Sequence, residues 1–203
     1  VLDLACGAGR HLRELASAGV SAVGLDLSRV LLAEARAADP AARLVRGDMR
    51  RLPFADGAFG ALTSFFTSFG YFASRADDRT AAREMRRVLR PGGSFMLDFF
   101  NADRVREELV PRDVREARGR RVIQTRRIVD DTVVKRIRIE ELEPGEETRT
   151  PRHFHERVRL YSAEELSSLL RAEGLRTERR YGDYDGGEAG AGAERLILVG
   201  EAA

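Results

Sequence analysis

Residues 1–10 read VLDLACGAGR: a short apolar run broken by one acid, Asp3, then two glycines one residue apart, Gly7 and Gly9. An apolar run of this length bounded by glycine predicts a buried strand. The glycines predict a turn whose backbone can approach a ligand closely, since no Cβ stands in the way. The stretch that follows, GRHLRELASAG, places Leu12, Leu15 and Ala16 on one face and ends at Gly19, the pattern of a helix and its stop. Strand, glycine bend and helix in that order make a cradle for an anionic or nucleotide-like guest.

The rhythm repeats outward from this unit. SAVGLDL (21–27) reads as a second strand, with Ser28 placed to cap a helix running through Ala37; ARLVRGD (42–48) and FGALTSFF (59–66) read as the third and fourth strands. Residues 77–93 predict a helix ended by Pro91 and Gly92, and SFMLDFF (94–100) a fifth strand. Such alternation specifies a parallel sheet with helices on its faces. After Asn101 the pattern changes. Residues 121–129, 132–140 and 153–161 read as strands with no helix between them, separated by DDT and the polar EPGEETRTP (143–151). In KRIRIE, Ile137 and Ile139 alternate with Arg136 and Arg138, so one face is buried and the other wet, as in an antiparallel sheet. Ser162 and Glu165 open a helix with a capping box, Gly174 stops it, and LRTERRYGDY and ERLILVGE are closing strands joined by the glycine-rich DGGEAGAGA.

Composition narrows the function classes. The chain has 203 residues, 43% of them hydrophobic, enough for one main domain with an appended subdomain. Its single cysteine, Cys6, rules out an internal disulfide framework and reads as a small buried filler. Net charge is +2, from 35 bases interleaved with 33 acids, which is a solvated surface rather than a segregated nucleic-acid patch. No apolar run spans a bilayer, and a cytoplasmic location with no membrane partner is the expectation.

The acid-and-glycine pattern separates two cofactor classes. A dinucleotide fingerprint needs a third glycine where Leu12 stands, and has no use for Asp3 inside the strand. Asp-x-x-x-Gly-x-Gly instead resembles motif I of class I S-adenosylmethionine (SAM)-dependent methyltransferases of the small-molecule type, with Ala5 where many members carry another glycine. VGLDLS, with Asp26 and Leu27, resembles the family's ribose site, where the acid accepts both hydroxyls. GDMRRLPF resembles its adenine site, with Asp48 accepting from the exocyclic amine and Met49 bounding the ring. RVLRPGGSFMLDF resembles the turn into its fifth strand. The resemblance implies an α/β fold, a doubly wound seven-stranded Rossmann-like sheet with an antiparallel β insert after the fifth strand. Residues 1–110 would form the SAM-binding core, 111–161 the insert or lid over the acceptor site, and 162–203 the C-terminal helix and closing strands. It implies SAM as cofactor, held by Asp3, Ala5, Gly7, Gly9, Asp26, Leu27, Asp48, Met49 and Phe65. Ligands of open α/β sheets bind outside the carboxyl ends of the strands, so three acids at successive strand tips are expected to share one site.

The acceptor side is less defined. TSFFTSFGYF (63–72) supplies Phe65 and Tyr71, the latter with a hydroxyl that needs a partner if buried. His153 and His155 are two apart and share a strand face; one of them is a candidate acceptor-side contact or base, and no further ligands suggest a metal. YGDYDGG (181–187), with Tyr184, reads either as a flap near the site or as a plain hairpin loop, and lacks the spacing of a calcium loop. Arg126, Arg127, Arg136 and Arg138 fit a wet sheet face better than an RNA surface, and the Asn-Pro-Pro-Tyr type of motif used on exocyclic base amines is absent after the fourth strand. Methyl transfer to a small-molecule acceptor is the reading; RNA or protein methylation and SAM binding without catalysis are its alternatives. No catalytic residue is assigned. Family members usually carry one or two helices ahead of motif I, so the resemblance also implies either a segment preceding Val1 or an unusually open cofactor site.

Overall fold

The computed structural model describes residues 1–142 and 150–203, so most of the polar stretch 143–151 lies outside the described residues. Its elements run β1 (Leu2–Leu4), α1 (Arg10–Ser17), β2 (Val23–Asp26), α2 (Arg29–Ala38), β3 (Arg43–Arg46), β4 (Phe59–Ser64), α3 (Arg75–Val88) and β5 (Leu89–Phe100). Then follow α4 (Ala102–Glu108), β6 (Arg112–Ala117), β7 (Arg120–Val129), β8 (Thr132–Glu141), β9 (Arg152–Arg159), α5 (Ala163–Ala172), β10 (Leu175–Tyr181) and β11 (Arg195–Ala202).

Seven strands form one sheet in the order β10-β11-β5-β4-β1-β2-β3. β1 pairs in parallel with β2 and β4, which puts VLDLA at the centre, while β11 runs antiparallel between β5 and β10. This is the doubly wound α/β sheet that the sequence pattern implied. Central placement explains the apolar run: Leu2 and Leu4 are fully buried, each contributing roughly 1.5–3 kcal/mol of burial. The larger core packs these strands against Ala81, Met85 and Val88 of α3 and Leu166 and Leu170 of α5; a smaller one joins Cys6 to Leu12 of α1 and Leu32 of α2. Cys6 is a buried free thiol.

Local signals set most boundaries. Ser28 caps α2 by accepting from the Leu31 amide, and Ser162 and Glu165 make the reciprocal capping box of α5. The helix before the fifth strand departs from expectation. It begins at Arg75 behind a Ser74 cap and ends at Val88, and Pro91 and Gly92 lie inside β5. Pro91 and Gly92 therefore end no helix; they sit where β5 irregularly pairs β4, between Phe59 and Ala61.

The insert is a second, four-stranded antiparallel sheet, β6-β7-β8-β9. Its first strand, β6, and the short helix α4 were not anticipated, because RDVREA carries charge at most positions and ADRVREE spans only seven residues. Ile137 and Ile139 are half-buried while Arg136 and Arg138 are exposed, as their alternation required.

Candidate cofactor and acceptor site

The carboxyl ends of β1, β2 and β3 and the segment after β4 enclose a cleft of about 410 Å³ lined by Ala5, Asp26, Leu27, Asp48, Met49, Phe66, Thr67 and Tyr71, among others. Ala5 sits in the left-handed region at φ 56°, and Gly7 and Gly9 follow at φ 54° and 74°. Three left-handed residues in five fold the chain back on itself, and α1 begins at Gly9 with neither a side-chain cap nor an acid in its first turn. Its leading amides are thereby left for a ligand carboxylate or similar group. A Cβ at Gly7 would enter open space, whereas at Gly9 it would press on the Ala35 Cβ at 3.1 Å, so the first glycine keeps the cradle clear and the second packs α1 on α2.

Each expected acid has its own environment. Asp26 accepts the Gly7 amide through Oδ2 at 2.9 Å and the Ser28 amide through Oδ1 at 2.7 Å, so it locks the glycine turn to its own strand tip. Asp3 is 1% exposed; Thr63 Oγ1 donates to its Oδ1 at 3.1 Å, and Oδ2 is buried with no partner. Burial pushes the Asp3 carboxyl up to about 6, with Asp26 adding to the rise. Asp48 lines the cleft but is gripped by Arg50, whose backbone N, Nε and Nη2 all donate to it; Nη2 approaches Oδ2 at 2.7 Å. Those bonds hold its carboxyl below the usual range.

Beyond the cleft, Phe65 stacks on His11 with ring centroids 4.1 Å apart; Phe66 lies 5.4 Å from the same imidazole and beneath the Arg10 guanidinium at 4.5 Å. Burial, then the nearby Arg10, lowers the His11 pKa. Tyr71 lines the cleft and is 47% exposed. Tyr184 is 57% exposed, yet its hydroxyl donates to the buried Asp98 at 2.7 Å. His153 is exposed on β9, on the sheet face opposite Phe154 and Glu156, and does not line the cleft. The structure brings Ala5, Asp26, Leu27, Asp48, Met49 and Tyr71 together around the cleft, whereas Asp3, Gly7, Gly9, Phe65, Tyr184 and His153 are not in its lining. Among the described residues no cluster of three or more metal-ligating side chains occurs.

Residues 1–93 match a family described as a methyltransferase domain. The dTDP-3-amino-3,6-dideoxy-alpha-D-glucopyranose N,N-dimethyltransferase of Streptomyces fradiae is 32% identical over 181 residues, which is 88% of this chain and 70% of that protein. The chain belongs to the SAM-dependent methyltransferase family. The demethylmenaquinone methyltransferase of Beutenbergia cavernae is 42% identical over 101 residues, but these are only 50% of the chain, and the chain spans 40% of that relative's length. Among solved structures, a SAM-dependent methyltransferase from Clostridium acetobutylicum superposes with a TM-score of 0.86 over 99% of the chain and 82% of its own, at 20% identity. DesVI of Streptomyces venezuelae gives 0.70 at 28% identity, covering all of the chain and 83% of its own.

The family's cofactor is SAM, and this methyltransferase has features that fit it. A cationic ligand suits an unpartnered buried carboxylate oxygen on Asp3, and an adenosyl group suits apolar walls edged by Asp26 and Asp48. Reading the sequence missed Phe66, Thr67, Asp98 and Arg195. Left-handed backbone at Phe66 and Thr67 has no compositional signature in non-glycine residues. Asp98 did carry one: it is the lone charge in the apolar strand SFMLDFF.

Proposed function

We propose that this methyltransferase moves the methyl group of SAM to a nucleophilic nitrogen of a small molecule, with an amino sugar as the leading acceptor class. What favours that class is coverage. The amino-sugar enzyme of Streptomyces fradiae aligns with 88% of the chain and a second, from Streptomyces venezuelae, with 95% at 29% identity, whereas the menaquinone relative aligns with half. The segments that build the acceptor side, after residue 100, thus share sequence with enzymes acting on amino sugars.

SAM, when bound, supplies a methyl group on a positively charged sulfur, displaced in line by the acceptor. The protein's part is placement and exclusion of water, which in well-oriented systems supplies on the order of 7–11 kcal/mol. In this reading Gly7, Gly9 and Ala5 shape the backbone cradle, Asp26 with Leu27 holds the ribose, and Asp48 with Met49 borders the adenine while Arg50 fixes the Asp48 carboxylate in place. Asp3 meets the positive charge of the methionyl end, and Phe65 shields that end. Tyr71 and Tyr184 face the acceptor, and the insert sheet covers it from the β9 side. His153, exposed on β9 and outside the cleft lining, has no part in this reading. A neutral amine attacks without a dedicated base, so no catalytic base is assigned. One buried free thiol accords with a cytoplasmic setting.

Calorimetry with SAM and with S-adenosylhomocysteine (SAH) tests the cofactor half: micromolar binding of both is expected, weakened roughly tenfold or more in Asp26→Ala. Absence of binding to either ligand overturns it. Transfer of labelled methyl groups to nucleotide-linked amino sugars, with hydroquinones as the competing class, tests the acceptor half, and transfer to hydroquinones alone overturns that.

A further inference from the structure

Asp98 is fully buried on β5, and four groups from three segments converge on it. Its Oδ2 accepts the Phe66 amide at 2.7 Å and the Tyr184 hydroxyl at 2.7 Å, while its Oδ1 faces Arg195 Nε at 2.8 Å and Nη2 at 2.7 Å. Its backbone carbonyl accepts the Thr67 amide at 3.0 Å, and Arg195 Nη2 also donates to Thr67 Oγ1 at 3.2 Å. Phe66 and Thr67 are consecutive non-glycine residues in the left-handed region, at φ 54° and 59°. Such a pair is strained and persists only where surrounding bonds enforce it. Here the amides of both residues donate to Asp98. The same carboxylate reaches the glycine-rich loop 182–193 through Tyr184, whose ring lies 6.3 Å from Phe66. The other end of that loop is fastened by Asn101 Nδ2, which donates to the carbonyls of Gly190 and Ala193 at 2.7 and 2.8 Å.

We propose that Asp98 is a positioning residue that ties the cleft-lining segment Phe66–Thr67 to the loop 182–193, so that one wall of the cleft and Tyr184 are ordered as a unit. The proposal rests on the reading of the cleft as a SAM site only for its second half: a ligand that settles Phe66 and Thr67 also settles Tyr184. A carboxylate is needed because it accepts from Phe66, Tyr184 and Arg195 at once; an amide at the same place offers one acceptor oxygen and a donor nitrogen facing donors.

Hydrogen–deuterium exchange on the full chain tests it, with Asp98→Asn and Tyr184→Phe and with SAH as the probe. Without ligand, Asp98→Asn speeds exchange roughly tenfold in both 66–68 and 182–193 and leaves β2 unchanged; Tyr184→Phe, which removes one exposed residue's hydroxyl and stays folded, speeds 182–193 only. With SAH, the wild type gains protection in both segments, and Tyr184→Phe gains it only in 66–68. A merely structural Asp98 would not move that ligand-dependent difference. Wild-type exchange at 182–193 in Tyr184→Phe, or separate behaviour of the two segments in Asp98→Asn, overturns the proposal. If SAH fails to bind the wild type, the cofactor reading falls, and the ligand-free exchange still decides whether Asp98 joins the two segments.

Discussion

Asp3 is buried on β1 and does not itself line the cleft. Its carboxyl is buried beside the centre of the sheet with one oxygen unbonded, and its pKa stands at about 6 against 3.8 for a free side chain. The native state therefore binds this proton more tightly than the unfolded chain. The stabilisation is complete below about pH 4 and is lost as pH rises through about 6, a change of roughly 2–3 kcal/mol. Asp3→Asn removes the ionisation: its stability to urea is expected to lose this downward slope between pH 4 and 6 and to exceed wild type at pH 8. The same change is expected to weaken SAM binding roughly tenfold, and wild-type affinity for SAM should rise across the interval from pH 5 to 7 as the carboxylate ionises. Calorimetry over that range checks both.

At the level of elements, caps and glycines divide what a sequence discloses from what it hides. The capping box of α5 is written plainly as Ser162 and Glu165, and Ser162→Ala is expected to cost about 1 kcal/mol in urea unfolding, since the Glu165 amide loses its acceptor. Gly200 gives no such warning. A Cβ there would drive into the Arg176 carbonyl, beside the register shift between Thr177 and Arg179, and only the pairing of β10 with β11 reveals it. The first five strands were legible because each carries a run of apolar residues and helices separate all but β3 and β4. β6 was not, because five of its six positions are exposed and nothing apolar repeats. The strand-tip acids were legible for a similar reason: Asp3 and Asp26 interrupt apolar strands. The grip of Arg50 on Asp48, and the placement of His153 on the far face of β9, depend on side-chain partners and sheet register that spacing along the chain does not encode.

On the scale of the molecule, insert and core meet at a small polar joint. Arg159 at the end of β9 donates to Asp78 Oδ2 at 3.1 Å, Tyr161 donates to the same oxygen at 2.7 Å, and the Arg159 amide donates to the Gly70 carbonyl at 2.9 Å. Asp78 is fully buried at the start of α3, and its pKa is raised by that burial despite both donors. Tyr161→Phe leaves this carboxylate with Arg159 alone and is expected to lower stability by about 1–3 kcal/mol, read from urea unfolding, with faster exchange at Gly70 and Tyr71. Swinging the insert would drag the segment that lines the cleft, because both hang on residues 70–71 and 159–161.

The position of β11 has a consequence for how the polypeptide is made. Residues 195–202 occupy an inner lane of the main sheet, flanked by β5 on one side and β10 on the other. During synthesis every earlier lane emerges first, and the apolar flank of β5 around Phe99 stays uncovered until those eight residues clear the ribosome. Completion of the sheet therefore waits for residues 195–202, and a nascent chain halted before residue 195 presents an open, sticky margin to its neighbours.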